Sequence, residues 1–170
     1  MKNRIIFPFF LIMLTAAFCK QAISGTYDYS SLKFDSNKIN IFRWDSSQNS
    51  FPKFSEPLAL TNYDLQLTDS LLTVALATFN QTKSKALYES FNRKIPIDSF
   101  KIDQSKYKRQ YFPYKDNNGQ RTLELICFSC PFPEWRQNIY YAGVGAGIKA
   151  FRLMVNLSNK TYELSCGSYE

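Results

Sequence analysis

The chain has 170 residues, 45% of them hydrophobic, a formal net charge of +7 and no histidine. This length and apolar share fit one compact domain with its own core. The lack of histidine excludes Ser-His-Asp and Cys-His nucleophile systems and histidine-bound metal, and the basic residues form no stripe, so nucleic acid is not an expected partner.

At the front, Lys2 and Arg4 precede an uncharged apolar run over residues 5–18, and the small residues Ala22, Ser24 and Gly25 follow. This is the layout of a secretory signal peptide. Cleavage after Ser24 removes Lys2, Arg4 and Lys20, leaving 146 residues and lowering the charge from +7 to +4. The alternative cut falls before Cys19, where Ala16-Ala17-Phe18-Cys19 resembles a lipobox apart from the bulky Phe18. Cys19 is then the lipidation candidate, and an N-terminal lipid anchor is the one membrane link expected. The 14 residues of the run fall short of the roughly 20 that a spanning helix needs. The expected location is therefore exported: periplasmic, secreted or anchored at the outer membrane.

The expected organisation is a signal over 1–24, a loosely packed N-terminal segment over 25–57 and a single α+β domain over 58–170. In the segment, Ile39 and Ile41 predict one short extended piece. Thr61 and Asp64 then form a capping-box pattern. Leu65, Leu72, Ala75, Leu76 and Phe79 follow at helical spacing, so a helix is predicted over 62–80. A second, shorter helical piece is predicted over 84–93, with Leu87, Tyr88 and Phe91 inward and Pro96 as the stop.

From Lys106 the pattern changes to strands. Residues 107–114 and 120–128 flank Asp116-Asn117-Asn118-Gly119, a hairpin turn signal. A further strand is predicted over 138–144. Another covers 148–157, where Phe151, Leu153, Val155 and Leu157 alternate with polar positions, and a last one carries Tyr162, Leu164 and Cys166. The predicted fold class is α+β: one long helix packed on a four- to five-stranded antiparallel sheet, with the other sheet face partly solvated.

Few residues carry candidate chemistry. Cys127, Cys130 and Cys166 follow either cut, an odd number that allows at most one internal disulfide. Cys127-Phe128-Ser129-Cys130 has redox or zinc half-site spacing, but it lies at a strand end and lacks a second half-site. Cys127 is read as a buried thiol, with a Cys127–Cys166 bridge as the specific alternative. Gly143, Gly145 and Gly147 precede a strand rather than a helix, so they predict a turn and not a phosphate cradle. The carboxylates Asp98, Asp103, Glu124 and Glu134 have no spacing that forces a pair, and no cofactor is expected. Among the aromatic residues, Tyr107, Tyr111, Tyr114, Tyr140 and Tyr141 are candidates for a surface recognising protein, peptide or glycan.

The motifs Lys106-Tyr107-Lys108-Arg109-Gln110-Tyr111, Asn118-Gly119-Gln120-Arg121, Cys127-Phe128-Ser129-Cys130 and Phe151-Arg152-Leu153-Met154-Val155-Asn156-Leu157, with Trp135 and Tyr162, resemble a group of small exported bacterial proteins of unassigned function. The resemblance covers about residues 60–166 and implies a helix-then-sheet order and an envelope location. It carries over no catalytic residue. That group places an acidic, cysteine-containing glycine turn before the penultimate strand, where this chain has Gly145 and Lys149. The same helix-then-sheet order resembles cystatin-like folds. The functional expectation is a non-enzymatic binding or scaffolding module of the cell envelope. The alternatives are a secreted enzyme using carboxylate or tyrosine chemistry, and a protease inhibitor presenting the 143–147 turn as a wedge.

Overall fold

A computed structural model of the chain describes residues 28–45, 51–53, 55–141 and 146–166. The signal region with Cys19, and Gly143 and Gly145 of the glycine stretch, lie outside the described residues. The described chain is α+β. Its strands are β1 (Ile39–Ile41), β2 (Glu56–Pro57), β3 (Lys108–Lys115), β4 (Arg121–Phe128), β5 (Ala150–Asn156) and β6 (Thr161–Cys166), and one helix, α1 (Asn62–Ser90), precedes β3. The sheet runs β1-β3-β4-β5-β6, with β2 also on β3.

This sheet is mixed, which corrects the antiparallel expectation. β3 to β6 form an antiparallel meander, but β1 joins β3 in parallel, Ile39 opposite Arg109 and Ile41 opposite Tyr111. The segment expected to be loosely packed therefore supplies an edge strand. It also buries Tyr29 and Phe51, and the Tyr29 hydroxyl donates to the Leu58 carbonyl at 2.8 Å.

The capping box forms as read. Asp64 N donates to the Thr61 hydroxyl at 3.2 Å, and Thr61 N donates to the Asp64 carboxylate at 2.8 Å. The apolar stripe Leu65, Leu72, Ala75, Leu76 and Phe79 is buried and joins Tyr111, Leu123, Leu125, Leu153 and Val155 in the main core. Beyond Asn80 the expected break does not occur, and α1 runs unbroken to Ser90. The polar residues there bond to tertiary partners instead of ending the helix. Asn80 clamps the Ile102 backbone, accepting at 2.8 Å and donating at 2.9 Å, and the buried Ser84 donates to the Phe100 carbonyl at 2.8 Å. Left-handed Asn92 and Arg93 (φ 51° and 59°) then turn the chain, before Pro96.

On the opposite sheet face, aromatic residues cover what was expected to be partly open surface. Over β3, Phe42 stacks on Phe112 at 5.0 Å and Phe51 meets Phe112 edge-on at 5.8 Å. Over β4, Tyr140 stacks on Phe128 at 4.5 Å beside the buried Trp135. Among the described residues this face opens at Arg152 of β5 and at Glu163 and Ser165 of β6. Residues 138–141 form no strand, contrary to expectation, and residues 142–144 lie outside the described residues. β5 already occupies the free edge of β4, and the Gln110 side chain takes up the 138–141 backbone instead. Its Nε2 donates to the carbonyls of Trp135 and Asn138 at 2.6 and 2.7 Å, and its Oε1 accepts from Tyr140 N at 2.8 Å.

Candidate functional site

The five candidate tyrosines do not share a surface. Tyr107, Tyr111 and Tyr114 are buried. Tyr107 donates to the Ile148 carbonyl at 2.5 Å, and Tyr111 accepts from Arg109 at 3.2 Å. Tyr140 is half-buried on Phe128, with its hydroxyl 3.2 Å from the Cys130 sulfur. Tyr141 alone is open, at 73% exposure. The sequence pattern marked aromatic residues suited to strands, and burial of both sheet faces took three of them inside.

The Cys127–Cys166 bridge is not formed, and both thiols are free. Phe151 of β5 pairs with Cys127 on one side and Cys166 on the other. The two cysteines are therefore two strand spacings apart, about 10 Å, beyond the ~7 Å that a disulfide tolerates. Cys130 lies past the end of β4, against Tyr140, so the Cys127/Cys130 spacing makes no paired site either. Among the described residues no cluster of three or more candidate metal ligands forms, and no helix is long and apolar enough to cross a membrane.

The carboxylates are each engaged separately. Glu124 takes Arg152 at 2.6 Å, and Glu134 accepts from Asn138 at 2.5 Å. Asp98 and Asp103 do share one hollow of about 250 Å³, but Asp98 faces Lys101 at 2.7 Å and Asp103 faces Lys106 at 3.8 Å. Of the expected wedge, Ala146 and Gly147 are described. Ala146 is half-buried, and Gly147 is buried at φ +53° in a short 3-10 turn, Gly147–Lys149.

One concave feature was not anticipated. The second half of α1 and the edge strand β6 enclose an open groove of about 910 Å³. Ala75, Phe79, Leu87 and Phe91 form the helix wall, and Tyr162, Leu164 and Cys166 form the floor. Thr78, Thr82 and Ser90 add hydroxyls, and Lys83 is the cation among the lining residues. Phe91 and Tyr162 are 36% and 37% exposed, so the apolar lining remains partly wetted. The sequence did signal each wall separately, through Leu87 and Phe91 on the helix and the alternation in β6. Among the described residues pairing order leaves the gap without a further strand, since β6 is the last strand there and pairs with β5 alone.

Acid–base character in this groove, in the main core and on the opposite sheet face favours neutral forms. Burial pushes the Cys166 thiol up to about 11, and it pushes the Cys127 thiol and the Tyr111 hydroxyl up further still. Burial and the nearby Glu124 raise Tyr114 to about 12. The Cys130 contact, with burial second, raises Tyr140 to about 12. A thiol held protonated at neutral pH is a poor nucleophile. Each of these groups keeps its proton longer in the fold than in the unfolded chain. Their stabilising contribution is therefore complete below the ordinary thiol value of 9.0 and is lost as pH rises through the folded values of about 11 and 12. Urea midpoints are expected to stay flat in this respect up to pH ~9 and to fall above it. In parallel, alkylation read by intact mass should leave Cys127 unmodified in the native protein and modify it in denaturant.

Comparison with protein-family models, curated proteins and solved structures finds no match to this chain. Fold and groove define it as a mixed-sheet α+β protein with an apolar cleft beside a strand edge that is open among the described residues.

Proposed function

We propose that this is an exported protein of the cell envelope that acts by binding or scaffolding rather than by catalysis, and that the α1/β6 groove is its interaction site. The front of the sequence supports export, through either the Ala22/Ser24 cut or lipidation at Cys19. The observation that carries the binding reading is an apolar groove of about 910 Å³ whose floor is a strand with one edge open among the described residues. Sites of roughly 300–1,000 Å³ with mainly apolar walls and a few polar groups are the usual form of binding pockets. An open edge adds backbone hydrogen bonds for an extended protein segment. The groove brings together one lysine and a thiol that burial keeps protonated, a set that favours holding a partner over attacking one. The cystatin-like reading draws support from the helix-before-meander order and from α1 lying over β5 and β6, while the parallel β1 departs from it.

Expression in a Gram-negative host tests both parts. A mature chain starting at Gly25 or at lipid-modified Cys19 is the expected mass, and an uncleaved cytoplasmic chain overturns export. The apolar anion 1-anilinonaphthalene-8-sulfonate should bind the purified protein with a rise in fluorescence. Ala86 lies exposed on the groove wall, so Ala86→Glu leaves the core intact while placing a carboxylate in the apolar cleft. Dye affinity should fall about tenfold, the factor that ~1.4 kcal/mol carries. Unchanged dye binding overturns the groove as the site.

A further inference from the structure

The two edges of this sheet are finished differently. On the β1/β2 side, β1 has three residues and β2 has two, one of them Pro57. Loop residues cover the same side: Asn40 donates to the Arg136 carbonyl at 3.1 Å, and Arg136 donates to the Ser36 carbonyl at 2.8 Å. Short strands, proline and loop cover are the devices that keep an edge from recruiting another strand. β6 has six residues, Thr161–Cys166, with no proline and no lysine. Its one charge is Glu163. Tyr162, Leu164 and Cys166 register with Val155, Leu153 and Phe151, so the core face continues to the rim and ends there partly exposed.

We propose that a second copy of this chain pairs with β6, antiparallel about a two-fold axis at Leu164, joining two six-stranded sheets and their two grooves. The proposal rests on the groove being the interaction site, and it names the partner there. The match follows from the strand itself. About that axis Leu164 faces its own counterpart, Tyr162 faces Cys166 of the second copy, and Glu163 faces Ser165 of the second copy. Apolar residues thus meet on the groove face, and no like charges meet on the other. Moving the axis to Glu163 sets two carboxylates opposite each other, which cross-strand pairing disfavours, so charge selects the register centred on Leu164. A two-fold, self-complementary contact is also the commonest way identical chains associate.

Sedimentation equilibrium on the purified exported chain over a concentration series is the test. A species of twice the chain mass is expected. Ser165 is exposed, so Ser165→Glu should not disturb the fold, as near-UV circular dichroism checks. It places a carboxylate opposite Glu163 of the second copy at both ends of the contact, and the dimer dissociation constant should rise roughly tenfold. Adding Glu163→Lys to that variant converts both repulsions into attractions, and wild-type association should return. A chain that stays monomeric, or a dimer indifferent to Ser165→Glu, overturns self-pairing. If the monomer still binds the dye in the wild-type manner, the groove reading stands and the self-pairing inference alone falls. If neither association nor dye binding occurs, both fall.

Discussion

Replacing Gln110 by leucine is expected to destabilise the protein by about 3–5 kcal/mol, since three backbone groups lose their partner at a cost of roughly 1–3 kcal/mol each when left buried. Gln110 is fully buried on the sheet face opposite the helix. Its amide is the hydrogen-bonding partner of Trp135 O, Asn138 O and Tyr140 N. Leucine is close in size but offers none of those bonds, so the segment must find water by lifting off Phe128. Gln110→Glu separates the electrostatic part from the steric one. Its carboxylate would present oxygen to two carbonyl oxygens that now sit 2.6 and 2.7 Å from the amide nitrogen. That variant should be at least as destabilised as the leucine one at pH 8. It should recover partly as pH falls, because protonation restores one donor and burial favours the neutral acid. Urea unfolding at pH 5 and pH 8 checks the sign. Equal stability of the glutamate variant at both pH values would show that the amide donors do not hold the segment. Release of the segment should also free Cys130 from Tyr140, 3.2 Å away, so Cys130 should alkylate faster in both variants.

That one side chain also explains why part of the fold was unreadable. The capping box, the α1 stripe, the Asp116–Gly119 turn and the alternation in β5 and β6 depend on residues close in sequence, and each was legible. The strand expected over 138–144 does not form over residues 138–141. Their partner is a glutamine 28–30 positions earlier, which no local pattern shows. The same reason separates the tyrosines. Whether Tyr111 or Tyr141 meets solvent depends on α1 covering one sheet face and on Phe42, Trp44, Phe51 and residues 132–140 covering the other. Strand order also decides the cysteines, because inserting β5 between β4 and β6 parts two residues that share one core face. Both walls of the groove were visible as apolar patterns, and only the pairing order leaves them facing each other across an edge that no described strand covers.

The second large effect is expected at Asp64, where a capping residue is also the buried end of an ion pair. Its carboxylate is almost fully buried, and it accepts from Thr61 N at 2.8 Å, the Thr61 hydroxyl at 2.8 Å and Arg121 Nη2 at 2.7 Å. Arg121 opens β4, and its carbonyl accepts from Leu157 N while its own N–H donates to Ser158 Oγ. Asp64 therefore ties the start of the helix to the end of the sheet where β4, β5 and the β5–β6 turn meet. Loss of a cap costs about 0.5–2 kcal/mol, and breaking a buried ion pair costs about 3–5 kcal/mol when the remaining charge stays buried. Arg121 is 37% exposed, so water takes over part of that charge and the ion-pair loss falls below that of a fully buried pair. Asp64→Ala should cost about 2–4 kcal/mol, against about 1 kcal/mol for Thr61→Ala, which removes one capping partner and leaves the ion pair. Arg121→Ala in the Asp64→Ala background should add little, leaving a coupling of about 1–2 kcal/mol in the double-mutant cycle. Additive single losses would mean that the capping bonds alone stabilise this corner. Coupled losses would mean that the helix start is secured by the sheet it lies on, which leaves the far half of α1 free to stand off β6 and hold the groove open.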